Sequence, residues 1–285
     1  AAAAKIESGL ADLVIAGGFE SSSTQPVRMW NSNHPDYQEG KSYTVAKFIP
    51  DIQGEQVMLE GAEKTALTEN VTKAEMDPWV LLSHKRAAQA AKEGILSDIQ
   101  FSIADSKKDE GIRPSMSQRL LDRLPCLLPG GSIITAANAC LMHDGAAFVV
   151  LCSEAYRKKH GLTPQAAFRF GTAIGSDPFM SPKTAVLAIR KLLKQTALSI
   201  DEIYSLEVNE AFAVIDVLLE REFPGIRERL NPLGGALAYG HPYGASGAII
   251  LLHLLKDLEL NQGRFGICGV AAAGGIGTAL LVEKV

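Results

Sequence analysis

The 285-residue sequence is 47% hydrophobic and 21% charged, which excludes a disordered chain and fits one large or two ordinary globular domains. A formal net charge of −4, with no long Lys/Arg run, argues against nucleic acid as a partner, so an anionic ligand must be held locally. Cys126, Cys140, Cys152 and Cys268 are scattered, without a C-x-x-C pair or a histidine at ligand spacing, which reads as reduced thiols in a cytoplasmic setting with no disulfide framework and no metal site.

The opening AAAAKIESGL is a helix with Gly9 as its C-cap, and Leu13-Val14-Ile15-Ala16 reads as a buried strand ahead of Gly17-Gly18. No N-terminal cap precedes the helix, so the chain is expected to begin partway through a helix of a longer protein. Residues 20–131 hold most of the polar residues and two helical patterns, GEQVMLEGAEKTALTENV (54–71) and DPWVLLSHKRAAQAAKEGIL (77–96). Asp77 as N-cap and Pro78 in the first turn start the second. This stretch reads as an inserted, mainly helical subdomain.

From 158 to 285 strand and helix patterns alternate: AAFRFGTAIG, then SPKTAVLAIRKLLKQTAL with Val186, Ile189, Leu192 and Leu193 at helical spacing, then IYSLEVNE and AFAVIDVLLEREF. After a glycine-rich stretch come GASGAIILLHLLKDLEL, apolar nearly all round, and two closing strands. Alternation of this kind indicates an α/β fold with helices covering a sheet. The order helix, glycine break, strand, double glycine occurs near both ends, and each copy has a later strand to go with it (145–155 and 277–285), a weak internal repeat. No apolar run reaches the ~18–20 residues of a membrane span.

Three stretches invite a chemical reading. GGIGTA (274–279) is followed by a strand and not a helix, so it lacks the context of a dinucleotide-binding turn. Asn209, between a strand and a helix pattern, is either an ordinary N-cap or a carboxamide at a sheet edge that orients a water or an oxyanion. His241 lies in LGGALAYGHPYGASGA (233–248). Pro242 drives it toward extended geometry, and the glycines let a ligand or another segment approach its backbone. Gly244, Ala245, Ser246 and Gly247 then open a helix whose positive end favours nearby anionic states. An imidazole so presented is a structural histidine or a general base. His84, His160 and His253 read as structural.

NEAFA (209–213), GGALAYGHPYGASGA (234–248), the glycine turn and strand at 274–285, ADLVIAGGFESSS (11–23), TAANACLMHDGAA (135–147) and DEGIRP (109–114) together resemble the thiolase family in the family's own order. The resemblance implies a layered αβαβα fold with an incomplete first half. Residues 1–19 and 132–157 would be the remainder of the N-terminal half, 20–131 the inserted loop subdomain and 158–285 the C-terminal half. It implies interconversion of a 3-oxoacyl-CoA plus CoA with two shorter acyl-CoAs through a cysteine thioester. His241 would activate the nucleophile and help hold the oxyanion, and Asn209 would position a water there. Met58, Ala136, Cys140, Ala211, Phe212 and Gly244 would line the pantetheine and acyl site. Coenzyme A and acyl-CoA enter as substrates, with no permanent cofactor, and a homodimer or homotetramer would form at the sheet edge that includes Leu13–Ala16.

The sequence departs from that pattern at three places. The nucleophilic cysteine is expected upstream of Ala1, where no cysteine of this chain can replace it. The second catalytic cysteine position reads Ala271, and Cys268, an odd number of residues away, should face the other side of its strand. Cys140 and Leu141 also stand where Ser-Gly is usual. Two alternatives to an active transferase follow: a degenerate relative that binds acyl-CoA or serves as a partner subunit, and a relative using a second histidine, for which no further H-x-G motif is present.

Overall fold

A computed structural model describes residues 1–43, 48, 57–103 and 108–285; residues 54–56 of the first helical pattern lie outside them. In chain order the elements are α1 (Ala2–Glu7), β1 (Leu13–Glu20), α2 (Val57–Thr68), α3 (Lys73–Glu93), α4 (Gln118–Leu121) and β2 (Gly145–Cys152). There follow α5 (Glu154–His160), β3 (Ala166–Gly175), α6 (Thr184–Thr196), β4 (Ile203–Val208) and α7 (Val214–Glu222). The last are α8 (Ala236–Tyr239), α9 (Ser246–Asn261), β5 (Phe265–Ala272) and β6 (Ile276–Lys284).

The chain stacks helix, sheet, helix and sheet. β3, β6, β5 and β4 form one sheet in that order, parallel only between β4 and β5. α6 packs on this sheet and buries Val186, Ile189, Leu192 and Leu193 at the helical spacing of its sequence. α9 packs against β4 and β5 as well, where Ile250, Leu254 and Leu258 enclose Cys268 and Val282. The same helix touches β1 and β2, which form a second, antiparallel sheet. An apolar circumference therefore suits α9, because it separates two sheets.

β1 departs from its expected burial: Ile15 is 69% and Phe19 74% exposed. Its register pairs Leu13 with Cys152, Ile15 with Val150 and Gly17 with Phe148. Side chains alternate across a strand, so Leu13, Ile15, Phe19, Phe148 and Val150, all exposed, share one face. An apolar run shows that a strand could be covered, not that a layer covers it.

α3 also begins earlier than expected, at Lys73, and Asp77 is not its cap. Thr72 Oγ1 accepts from the Glu75 N–H at 3.3 Å while the Glu75 carboxylate accepts from the Thr72 N–H at 2.9 Å. This reciprocal box satisfies two free donors, which Asp77-Pro78 could not do together. Asp77 is instead buried and paired with Lys73 at 2.7 Å.

α2 ties residues 132–134 to the body of the molecule. The buried Glu63 carboxylate accepts from the N–H groups of Ser132 (2.6 Å), Ile133 (3.1 Å) and Ile134 (2.9 Å). Burial works against its charge, but these donors outweigh that and hold the carboxyl below its usual range. The segment carrying Ala136 and Cys140 leaves from this clamp.

Candidate active site

β4 ends at Val208, and the Asn209 N–H continues the ladder to Gly269 O at 3.0 Å. α7 does not begin until Val214, and Ala213, with no side-chain bond, stands at its cap position. Asn209 is therefore not the N-cap of that helix. Its side chain turns inward at 1% exposure, and its Nδ2 lies 3.2 Å from His241 Nε2.

His241 is presented by the bend anticipated for it. Gly240 adopts φ +88°, and a Cβ there would meet His143 Nδ1 at 2.2 Å, so only glycine fits. The His241 N–H donates to Leu141 O at 2.7 Å, which joins the histidine loop to the 135–142 segment.

The ring's protons follow from its neighbours. Ser246 Oγ lies 2.6 Å from His241 Nδ1 and donates its single hydrogen to Pro242 O at 2.9 Å. With the hydroxyl hydrogen on Pro242 O, Nδ1 carries the ring proton and donates it to Ser246 Oγ, which leaves a lone pair on Nε2 that accepts from Asn209 Nδ2. Burial lowers the pKa of the imidazole to about 4. At neutral pH the ring is a neutral base with its lone pair at the end facing Asn209, and the Tyr243 ring stands edge-on to it at 4.7 Å.

The remaining candidates fall into separate places. Met58, Ala211, Phe212 and Ala271 line one cavity of about 10 Å³ with Ser181, Pro182 and Ile215, so three of the expected acyl-site residues meet the position where a second cysteine is expected. Cys140 joins them through its N–H, which donates to Ala211 O at 3.0 Å. Ala136 is exposed on the same segment. Gly244 is exposed and closes on β1, since a Cβ would lie 2.3 Å from Phe19 O.

None of the four cysteines is disulfide-bonded. Cys268 faces α9 in the cluster described above, Ala271 faces the other core, and the β5–β6 register runs unbroken from Phe265 to Ala272. The odd spacing thus separates the two residues as the strand period requires. Burial pushes the Cys140 thiol up to about 12 and the Cys268 thiol well above its ordinary value, so neither is a thiolate. Among the described residues no group of His, Cys, Asp and Glu is arranged to hold a metal ion, and no helix is long and apolar enough to cross a membrane.

Sequence reasoning passed over several residues here. Ser246 is the partner of His241 Nδ1, yet the sequence offered it only as one of a run of small residues. Glu210, inside NEAFA, is buried and accepts from Ser83 Oγ (2.7 Å), Asn231 Nδ2 (2.9 Å) and the Leu237 N–H (3.2 Å). It anchors the start of the histidine loop, and a Cβ on Gly235 would lie 2.4 Å from its carboxyl carbon. His143, bonded to Tyr239 O at 2.8 Å, packs beneath Gly240. His84 lies in a polar segment but is buried, and its Nδ1 accepts from the Arg113 N–H at 3.2 Å. A charged or polar residue inside an otherwise apolar motif was the available signal for Glu210, and helical spacing from Met76 and Val80 the one for His84.

Residues 1–155 match the thiolase N-terminal domain family and residues 162–284 the thiolase C-terminal domain family. The beta-ketoadipyl-CoA thiolase of Escherichia coli is 32% identical over 302 residues, covering 100% of this chain and 75% of that protein. Acetyl-CoA acetyltransferase IA of Candida tropicalis is 32% identical over 296 residues, covering 97% and 72%. The fold is similar to that of human mitochondrial 3-ketoacyl-CoA thiolase in its crystal structure with CoA, with TM-score 0.89 and 30% identity over 99% of this chain and 73% of that one.

Proposed function

The chain belongs to the thiolase family, and on that premise we propose that His241 and Asn209 are its acyl-transfer residues and that acyl-CoA is its substrate. The reaction is 3-oxoacyl-CoA + CoA ⇌ acyl-CoA + acetyl-CoA, passing through a cysteine thioester. His241 Nε2 takes the proton of the attacking thiol, and the thiolate adds to the carbonyl. Asn209 holds a water that, with the imidazole, supports the oxyanion. A positioned histidine base is worth about 10²–10⁴-fold in rate.

The observation that carries this reading is the hydrogen-bonded run Asn209–His241–Ser246, which gives a neutral imidazole with its lone pair on Nε2. The acylated thiol is taken, as the family resemblance implies, to be none of the four cysteines of this sequence; burial keeps two of them, Cys140 and Cys268, protonated. CoA enters as substrate and not as a resident cofactor. Met58, Ala136, Cys140, Ala211, Phe212 and Gly244 form the pantetheine and acyl wall. The division into 1–19 with 132–157, 20–131 and 158–285 belongs to the same proposal. So do a cytoplasmic location and a homodimer or homotetramer using the exposed face of Leu13, Ile15, Phe19, Phe148 and Val150.

Ala271 favours a second reading, in which the protein binds acyl-CoA without turning it over. The test is cleavage of short and long 3-oxoacyl-CoA substrates, with any residues encoded upstream of Ala1 included, beside calorimetric titration with CoA. Turnover supports the transferase. Binding without turnover supports the second reading, and no binding removes both.

A further inference from the structure

Behind Asn209 lies a cavity of about 20 Å³, bounded by Glu207, Asn209, Tyr239, Ser246, Ile250 and His253 among others. It is large enough for one water, which needs about 10–15 Å³ and two or more polar partners. Two of the residues lining it carry unpaired acceptors. Asn209 Oδ1 and both carboxyl oxygens of Glu207 are buried and bonded to no protein group, and Glu207 itself is 0% exposed. As residues i and i+2 across a strand end, the two side chains share a face.

Charge around Glu207 decides its form. Asp257 of α9 and Glu210 oppose its ionisation, burial keeps the neighbouring Cys268 thiol of β5 and Tyr239 phenol of α8 protonated, and His253 of α9 is held neutral by burial. Among the described residues Arg86 of α3 is the cation acting on it, and that guanidinium is engaged by Leu230 O, Arg227 O and the Glu228 carboxylate. Burial is the largest influence and raises the carboxyl well above its ordinary range. Glu207 is therefore a carboxylic acid with an O–H to donate.

A donor at this place selects between two arrangements of the site. In one, Nδ1 of His241 carries the proton, Nδ2 of Asn209 donates to Nε2, and Oδ1 faces the cavity. In the other, the Asn209 amide is turned over, Nε2 carries the proton and donates to Oδ1, and Ser246 donates to Nδ1. Only the first leaves a lone pair on Nε2. Once the Glu207 acid donates to a water in the cavity, the water has its own hydrogens to place: Oδ1 accepts one in the first arrangement, whereas in the second the turned N–H takes the water's remaining lone pair and that hydrogen loses its acceptor.

We propose that Glu207 is a positioning residue: its carboxylic acid donates to a water in this cavity, the water donates to Asn209 Oδ1, and the amide is thereby kept with Nδ2 on His241 Nε2. This rests on the reading of His241 and Asn209 as the site. One hydrogen bond of this kind biases the two arrangements about tenfold.

The test compares the parent protein with Glu207→Gln, which keeps a neutral donor, and Glu207→Leu, which has none. In infrared difference spectra at neutral pH, parent minus Glu207→Gln shows the carbonyl band of a protonated carboxylic acid; its absence overturns the proposal. In nitrogen-15 spectra His241 is an Nδ1–H tautomer in the parent and in Glu207→Gln, and a mixture in Glu207→Leu. Equal tautomers in all three overturn it. In turnover, Glu207→Leu loses about tenfold in kcat with KM unchanged, and Glu207→Gln restores it; equal rates overturn it. If the parent does not turn over, the transferase reading fails while both spectra still decide on Glu207. Should Glu207→Leu not fold, the infrared comparison decides alone.

Discussion

At His241 the protein spends its geometry on one lone pair. Gly240 makes the bend, Ser246 takes the Nδ1 proton, and Asn209 meets Nε2. The contributions should separate by size. His241→Gln is expected to lower turnover by about 10²–10⁴-fold, whereas Ser246→Ala, which removes only the tautomer partner, should lower it about tenfold. Steady-state kinetics on the two variants tests the order; equal losses would show that Ser246 acts as more than a partner for the ring.

Glu207 also has a signature in stability. A carboxyl raised by folding is protonated in both states at low pH, so its contribution is fully present below the unfolded value of 4.5. That contribution is lost as pH climbs toward the folded value, because folding must then take up a proton. Glu207→Gln removes the penalty. The stability gap in favour of the variant should be near zero at pH 4 and open toward pH 8 in urea unfolding. For His241 the sign reverses: its folded value of about 4 lies below 6.5, so its contribution is lost as pH falls through that window, and His241→Gln should make that limb shallower by one of three shares, His84 and His253 supplying the others.

At the scale of elements, the site depends on clamps between pieces distant in sequence. Glu63 of α2 holds 132–134, and Glu210 holds the loop before α8. Glu63→Ala leaves buried N–H groups unpaired and should cost about 1–3 kcal/mol in urea unfolding. Gly235→Ala should destabilise too, since its methyl group would press on the Glu210 carboxyl.

The sequence displayed these elements unevenly. β3 was readable residue for residue, because Ala166–Gly175 is a run bounded by turn residues, and α6 declared itself by the spacing of its buried side chains. The start of α3 was misread because Asp77-Pro78 is a strong local signal, while Thr72 and Glu75 act only as a pair. For the site, His241 and Asn209 stood out by their glycine-rich and strand-end settings. Ser246, Glu207 and Glu210 did not, because their roles come from contacts that the fold creates and no local pattern encodes.

At the scale of the molecule, the four layers leave an apolar sheet face open among the described residues, that of Leu13, Ile15, Phe19, Phe148 and Val150. This face is the one on which the proposed homodimer or homotetramer rests, since exposed apolar patches favour association. Ile15→Lys with Phe148→Lys should shift the protein toward monomer in sedimentation velocity, with little loss of stability because both side chains are already exposed. A parent that sediments as a monomer would remove the oligomer proposal.

The central claim is that His241 is the base of an acyl-CoA transfer site in this thiolase-family chain. It is tested most directly by the rate of CoA-dependent cleavage of a 3-oxoacyl-CoA, measured on the protein with any upstream residues included and on its His241→Gln variant. The expected result is turnover by the parent and a loss of at least about 10²-fold in the variant. A variant that keeps the parent's rate would contradict it.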